Sequence, residues 1–240
     1  MKYFFISFCS IFILNALTAT GQRNIIDIPT SEIVEKKHMF FQTQVGIGDR
    51  KIKFNAIGTY GFGKNWEGGL TINHITYNMR PQVRHIEINP ESPEDNGNLM
   101  INLQKGFQLS EWYNLGLGTR NGFGFSNSLS ALPFVHHSFI NNRFKRKDSN
   151  DKVMAGLYYG NQNYLGKGNS FGFHIGAEKE IIKEKLEVFA EFISGINSTS
   201  VINTGFQFDL PREWEIDIAA QLPAPHSGNT VSFVFQIARR

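Results

Sequence analysis

The stretch "FQFDLPREWEIDIAAQL", residues 206–222, decides the fold. Phe206, Phe208 and Leu210 alternate with Gln207 and Asp209. Beyond Pro211, Arg212 and Glu213, the residues Trp214, Ile216, Ile218, Ala220 and Leu222 alternate with Glu215, Asp217, Ala219 and Gln221. A period of two belongs to β-strands, whose successive side chains point to opposite faces. The stretch predicts two strands meeting at a tight turn. One face is apolar, and the other carries Asp209, Glu215 and Asp217.

The same alternation recurs along the chain. Phe41, Thr43, Val45 and Ile47 oppose Gln42, Gln44 and Gly46; Leu99, Ile101 and Leu103 oppose Met100, Asn102 and Gln104; Phe171, Phe173, Ile175 and Ala177 oppose Gly172, His174, Gly176 and Glu178. Leu186, Val188, Ala190 and Phe192 stand against Glu187 and Glu191, and the last run is Val231 to Ile237. "LTINHITY" changes phase between Ile72 and Ile75, and Pro133 in "ALPFVHHSFIN" suits a strand start or a bulge. The total is about twelve strands, with no convincing helix of several turns. "PTSEIVEKK", ahead of the first strand, is helical or extended.

The connections alternate in length. Short polar turns at "GKNW", "LSEW", "IIKEK" and "LPREW" interleave with long ones, of which "RPQVRHIEINPESPEDNGN" is the longest; "NNRFKRKDSNDK" is too long for the rule. Short turns at one end and long loops at the other mark an outer-membrane barrel, with both chain ends in the periplasm and an even strand number. A soluble sandwich also alternates. Two features favour the membrane: runs of about nine to eleven residues match a tilted span of the hydrocarbon layer, and Trp66, Trp112, Tyr113 and Trp214 sit beside short turns, where an interfacial girdle belongs. The fold class predicted is all-β, a closed antiparallel transmembrane β-barrel.

The N-terminus agrees with export. Lys2, the apolar run from Tyr3 to Leu14 and the small residues Ala16, Ala19 and Gly21 form the three regions of a secretory leader. The expected division is a signal peptide over 1–21, a periplasmic N-terminal segment over 22–37 and the barrel domain over 38–240. The chain's one cysteine, Cys9, lies in the leader, so disulfides cannot stabilise the mature protein. The formal net charge is +3, and loss of Lys2 lowers it by one. Such balance argues against a nucleic-acid partner. The partners expected are outer-membrane lipid, small solutes in the lumen and the outer-membrane assembly machinery, which reads terminal strands such as "TVSFVFQIARR"; this one ends in Arg239 and Arg240 instead of an aromatic residue.

With the leader, the "IIDIPT" opening and strand pairs such as "FQLSEWYNLGLG" and "FQFDLPREWEIDIAAQL", the chain resembles the outer-membrane transporters of the MetA-pathway phenol-degradation family. The resemblance implies a β-barrel with a transport role and no catalytic residues to carry over.

Few residues offer chemistry. His136 and Ser138 share a face of "FVHHSF", but about 7 Å separates alternate residues of a strand, and they are read as polar lumen residues beside a loop. His74, His85, His174 and His226 are scattered singly, so no metal or cofactor is expected. Glu87, Glu91, Glu94 and Asp95 do not match a calcium loop. "GNQNYLGKGNS" fails the phosphate-loop spacing. The remaining constellation is the polar face: His174, Glu178, Glu187, Glu191, Asp209, Glu215 and Asp217 on later strands, Lys51, Lys53 and Arg120 on early ones. Facing each other across one lumen, they would line a pore for small solutes. The alternatives are a structural or adhesive barrel with a plugged lumen and, least favoured, an outer-membrane lipid hydrolase. The reading as an exported barrel predicts that the mature protein begins at or near Gln22 and resists carbonate extraction from outer membranes. N-terminal sequencing and fractionation check this; recovery as a soluble protein would overturn it.

Overall fold

In the computed structural model, which describes residues 25–49, 51–79, 96–126, 132–147 and 149–239, each alternating run has become a strand. The leader, the loop carboxylates Glu87, Glu91, Glu94 and Asp95, and Arg240 lie outside the described residues. The strands are β1 (Met39–Gly48), β2 (Lys51–Gly63), β3 (Trp66–Asn78), β4 (Asn98–Gln108), β5 (Tyr113–Gly124), β6 (Phe134–Lys145), β7 (Lys152–Gly160), β8 (Phe171–Ile182), β9 (Leu186–Ile193), β10 (Val201–Leu210), β11 (Trp214–Pro223) and β12 (Ser232–Arg239). One helical turn, α1 (Gln162–Leu165), interrupts the β7–β8 connection. Each strand pairs antiparallel with its chain neighbours, and β1 pairs with β12 from Phe41↔Arg239 to Gly48↔Ser232. The sheet is closed. The predicted twelve strands form the barrel, at 8 to 13 residues each.

Closure leaves a regular pair of ends. Connections 64–65, 109–112, 146–151, 183–185 and 211–213 are short and lie at the end where β1 begins and β12 stops. The long connections 79–97, 125–133, 161–170, 194–200 and 224–231 lie at the other end, joined there by the two-residue turn 49–50. The exception at "NNRFKRKDSNDK" disappears because β6 runs through to Lys145, leaving only 146–151 as the turn. The phase change in "LTINHITY" is a β-bulge: Phe54 pairs with Ile75 and Ala56 with Ile72, so Asn55 alone faces Asn73 and His74. His74 takes φ +58°, and the Asn55 carboxamide oxygen accepts its N–H at 2.7 Å. The extra residue returns both isoleucines to one face. Pro133 lies just before β6, where its carbonyl accepts the Gly124 N–H.

The two faces of this wall are inverted relative to a water-soluble protein. Outward residues are apolar and bare, among them Ile101 (67% exposed), Phe171 (71%) and Phe233 (60%), whereas Glu67, Gln207, Glu215 and Asp217 are buried inside. Exposing so much apolar surface to water would cost roughly 25 cal/mol for each Å². In lipid the cost vanishes, and the closed ladder leaves no strand edge unpaired. At the short-turn end Tyr113 and Phe144 stack at 4.7 Å, Lys105 lies over Trp66 and Arg239 over Trp214. Aromatic rings topped by cations suit a headgroup boundary.

The face assignment is testable on β11, where Ile218 points outward and Asp217 inward. Ile218→Arg sets a charge against lipid near mid-membrane at about 2–4 kcal/mol, and is expected to reduce the fraction that shows folded, heat-modifiable migration on cold gels. Asp217→Asn keeps an oxygen for the Gln236 amide that now bonds it and should fold normally. Equal tolerance of both would reject the register.

Candidate functional site: an occupied lumen

The segment expected to precede the barrel in the periplasm runs inside it. From Lys37 at the short-turn mouth to Ile25, residues 25–37 pass up the lumen without forming a helix, so "PTSEIVEKK" resolves as extended chain. Ile25, Ile26, Ile28 and Val34 are almost fully buried. Their apolar side chains escape water by packing on the inner wall, near Met100, Val135, Met154 and Phe189.

A segment without regular structure must satisfy its backbone groups elsewhere, and the inner wall supplies the partners. The Glu191 carboxylate accepts the N–H groups of Ile26, Asp27 and Ile28 at 3.4, 2.9 and 3.3 Å, together with the Asn203 amide. Glu67 accepts the Val34 N–H at 2.7 Å, Gln104 donates to the Thr30 carbonyl at 2.8 Å, and Gln236 to the Ile25 carbonyl at 2.7 Å. Arg143 forms an ion pair with Glu32, while Asn203 and Gln221 each donate to Asp27 Oδ2 at 2.9 Å. Near the mouth, Lys37 donates to the Gly61 carbonyl and Gly61 to that of His38. Inner-face glycines make room: a Cβ on Gly61 would stand 2.0 Å from the Glu35 carbonyl oxygen, and one on Gly106 would meet Ile33 at 2.5 Å.

All ten residues predicted from the polar face carry their side chains on the inner side, but not as two opposed walls. Lys51 begins β2 at the long-connection end, whereas Asp209 and Glu215 flank the short turn 211–213 at the opposite end. Acid and base are separated along the axis. The reason is register: the basic positions fall near the long-connection ends of β2 and β5, and most of the acidic ones near the short-turn ends of β8 to β11. Several carboxylates are also engaged. Glu178 pairs with Lys152 at 3.0 Å and Glu187 lies 4.0 Å from it; Asp217 accepts the Gln236 amide, and Asp209 that of Gln207 at 3.2 Å. Glu191 is the anchor just described, and buried His174 bonds Asn141.

Toward the long-connection end a cavity of about 160 Å³ remains, lined by Lys51, Lys53, Asn55, Arg120, His137 and His174 and floored by Asp27 to Pro29. Tyr164 of α1 folds in beside it, stacking on His74 at 5.7 Å. Arg120 is 5% exposed, with its guanidinium 5.5 Å from the Phe139 ring. Its Nε and Nη2 find no hydrogen-bond partner among the described residues. In the lining Lys51, Lys53 and Arg120 outnumber the single carboxylate of Asp27, which makes the cavity basic.

His136 and Ser138, read from sequence as lumen residues, face outward. Arg120 pairs with His137 and Gly118 with Phe139, which puts the odd-numbered residues of β6 inside and the even-numbered ones against lipid.

No family model and no curated protein matches the sequence. Solved structures do match in shape. They include a KdgM porin in complex with disordered oligogalacturonate, at TM-score 0.57 and 9% identity over 84% of this chain and 98% of that one. A second KdgM porin structure gives 0.56 and 10% over the same shares. A NanC porin gives 0.50 and 7%, over 83% of this chain and 97% of that one. The fold is shared with porins. At such identities the likeness speaks for the architecture alone.

Glu191 is the test of the lumen occupant. Ile28→Cys introduces the one thiol besides Cys9 and, being fully buried, should resist maleimide in detergent-solubilised protein. Adding Glu191→Ala removes the acceptor of three N–H groups. Hydrogen bonds to a charged group contribute about 1.5–3 kcal/mol each, so labelling is expected to rise about tenfold or more while cold-gel mobility is retained. Unchanged labelling would show that Glu191 does not hold the segment.

Proposed function

We propose that the protein is an outer-membrane channel for small polar solutes, with a preference for anions, and that residues 25–37 hold it closed. The observation that carries this reading is the basic cavity inside a wall whose outer face suits lipid. A charged, hydrogen-bonding interior gives a solute replacements for its water shell, and the sign of the lining charge selects which solutes enter. Lys51, Lys53 and Arg120 are the selecting groups at the long-connection mouth. The porin architecture supports the same reading, as does the resemblance to the phenol-degradation transporters, and the oligogalacturonate named with the KdgM porin is itself a polyanion.

The filled lumen favours a second reading, a plugged scaffold that conducts nothing. Planar bilayers separate the two. Full-length protein is expected to conduct rarely, and a variant lacking residues 25–37 to give discrete, anion-preferring steps. In that variant Lys51→Glu with Lys53→Glu should move the reversal potential toward cation preference. Folded protein that stays silent after removal of the segment would establish the scaffold.

A further inference from the structure

The outer face is apolar nearly everywhere between the rims, apart from the single residues Thr43, Asn142 and Thr204 and one cluster. On β5 and β6 four polar side chains form a block two residues wide and two high: Asn121 pairs with His136 in the ladder, and Thr119 with Ser138. Leu117 and Ile140 lie on one side of the block, Phe123 and Phe134 on the other. Polar groups turned toward hydrocarbon are costly unless they bond one another, and Asn121, Thr119 and His136 do. Asn121 Nδ2 donates to Thr119 Oγ1 at 3.0 Å, and Thr119 Oγ1 to the His137 carbonyl at 3.4 Å. That orientation turns Asn121 Oδ1 to His136 Nδ1 at 2.7 Å.

An amide oxygen can only accept, so His136 carries its proton on Nδ1 and leaves Nε2 as a base. Ser138 is the next residue on the same face. About 7 Å separates their positions along the strand, and no hydrogen bond joins the two side chains here, so the pair has to close on the substrate. The block also stands at a step in the wall. β7 ends at Gly160, and the His136 N–H is taken up by the Asn161 side chain at 3.1 Å instead of by a further strand residue. Tyr159, paired with Ser138, is half exposed beside it. The block lies in the half of the wall nearer the long connections, between two pairs of outward apolar residues.

We propose that Ser138, His136 and Asn121 form an ester-hydrolysing site on the lipid-facing surface, acting on ester-linked acyl chains of membrane lipid. Ser138 Oγ attacks the ester carbonyl carbon while His136 Nε2 takes the hydroxyl proton. The bond from that carbon to the lipid alcohol breaks, and the alcohol oxygen receives the proton from His136. Water then attacks the acyl-serine, gives its proton through His136 back to Ser138 Oγ, and releases the fatty acid. Asn121 is a positioning residue: it fixes the tautomer and touches no reacting atom. The site is independent of the lumen.

The test uses purified full-length protein in two kinds of vesicle, one of phosphatidylethanolamine and phosphatidylglycerol, the other with lipopolysaccharide added. Fatty-acid release from the first identifies phospholipid as substrate; release only from the second identifies lipopolysaccharide. Ser138→Ala should abolish release, and His136→Phe should lower it about 10²- to 10⁴-fold. Asn121→Leu should lower it and displace its pH profile, with Asn121→Asp restoring both. Cold-gel mobility should be unchanged in all four variants. A fluorophosphonate should label the wild-type protein at Ser138, located by peptide mass spectrometry, a reading that needs no variant to fold. Absence of release from both vesicles, release that survives Ser138→Ala, or no label on Ser138 would overturn the proposal.

Discussion

A chain that crosses lipid must pair every backbone N–H and C=O with another protein group, because the hydrocarbon offers none. For strands this means closure, and the seam between β1 and β12 provides it. Much of the architecture follows from that constraint. The strand number is even because both ends lie at one rim, and the pleat sends alternate side chains to lipid and to the interior. The bulge at His74 lets one strand keep its outward isoleucines in phase without breaking the ladder. Asn55 then recovers the N–H that the bulge would have stranded.

Inside the wall the same demand falls on residues 25–37, which have no strand partner along most of their length. Four of their N–H groups are met by carboxylates, and two of their carbonyls by glutamine amides. Glu191 and Glu67 are thus anchors of this segment rather than free lining charges. The basic residues lie toward the opposite end. Electrostatic character therefore changes along the axis, from a packed, acidic lower half to a basic upper cavity.

Strand number, turn positions and the girdle were legible in the sequence because a period of two and the punctuation by turns are local properties. The lumen occupant was not. Ile25, Ile26 and Ile28 lie within a run that has no alternation, and nothing local distinguishes an apolar stretch outside a barrel from one threaded through it. The inner glycines Gly61 and Gly106 were a signal of sorts, since strands do not favour glycine and these two sit where the segment passes closest. The facing of β6 was also hidden. Its inner face mixes Val135 and Phe139 with His137 and Asn141, and its outer face mixes Ile140 with His136 and Ser138, so hydropathy alone assigns neither. Only the ladder partners of β5 settle the parity. Likewise the ten polar-face residues could be placed inside by parity, but their heights could not be compared until the register of all strands was known.

The anchors of residues 25–37 also bear on the order of assembly. The Ile25 carbonyl bonds Gln236, 211 positions later, and Gln236 in turn receives the Gln42 amide across the seam. The segment inside the barrel is thus held by the last strand, and would have to enter a finished cylinder before it could make these contacts. It is more economical for the wall to wrap around it. Contacts this distant in sequence carry a large closure entropy and form late unless something holds the ends together. A segment that bonds β4, β9 and β12 at once is such a scaffold, a mandrel on which the two edges are brought into register before they zip shut.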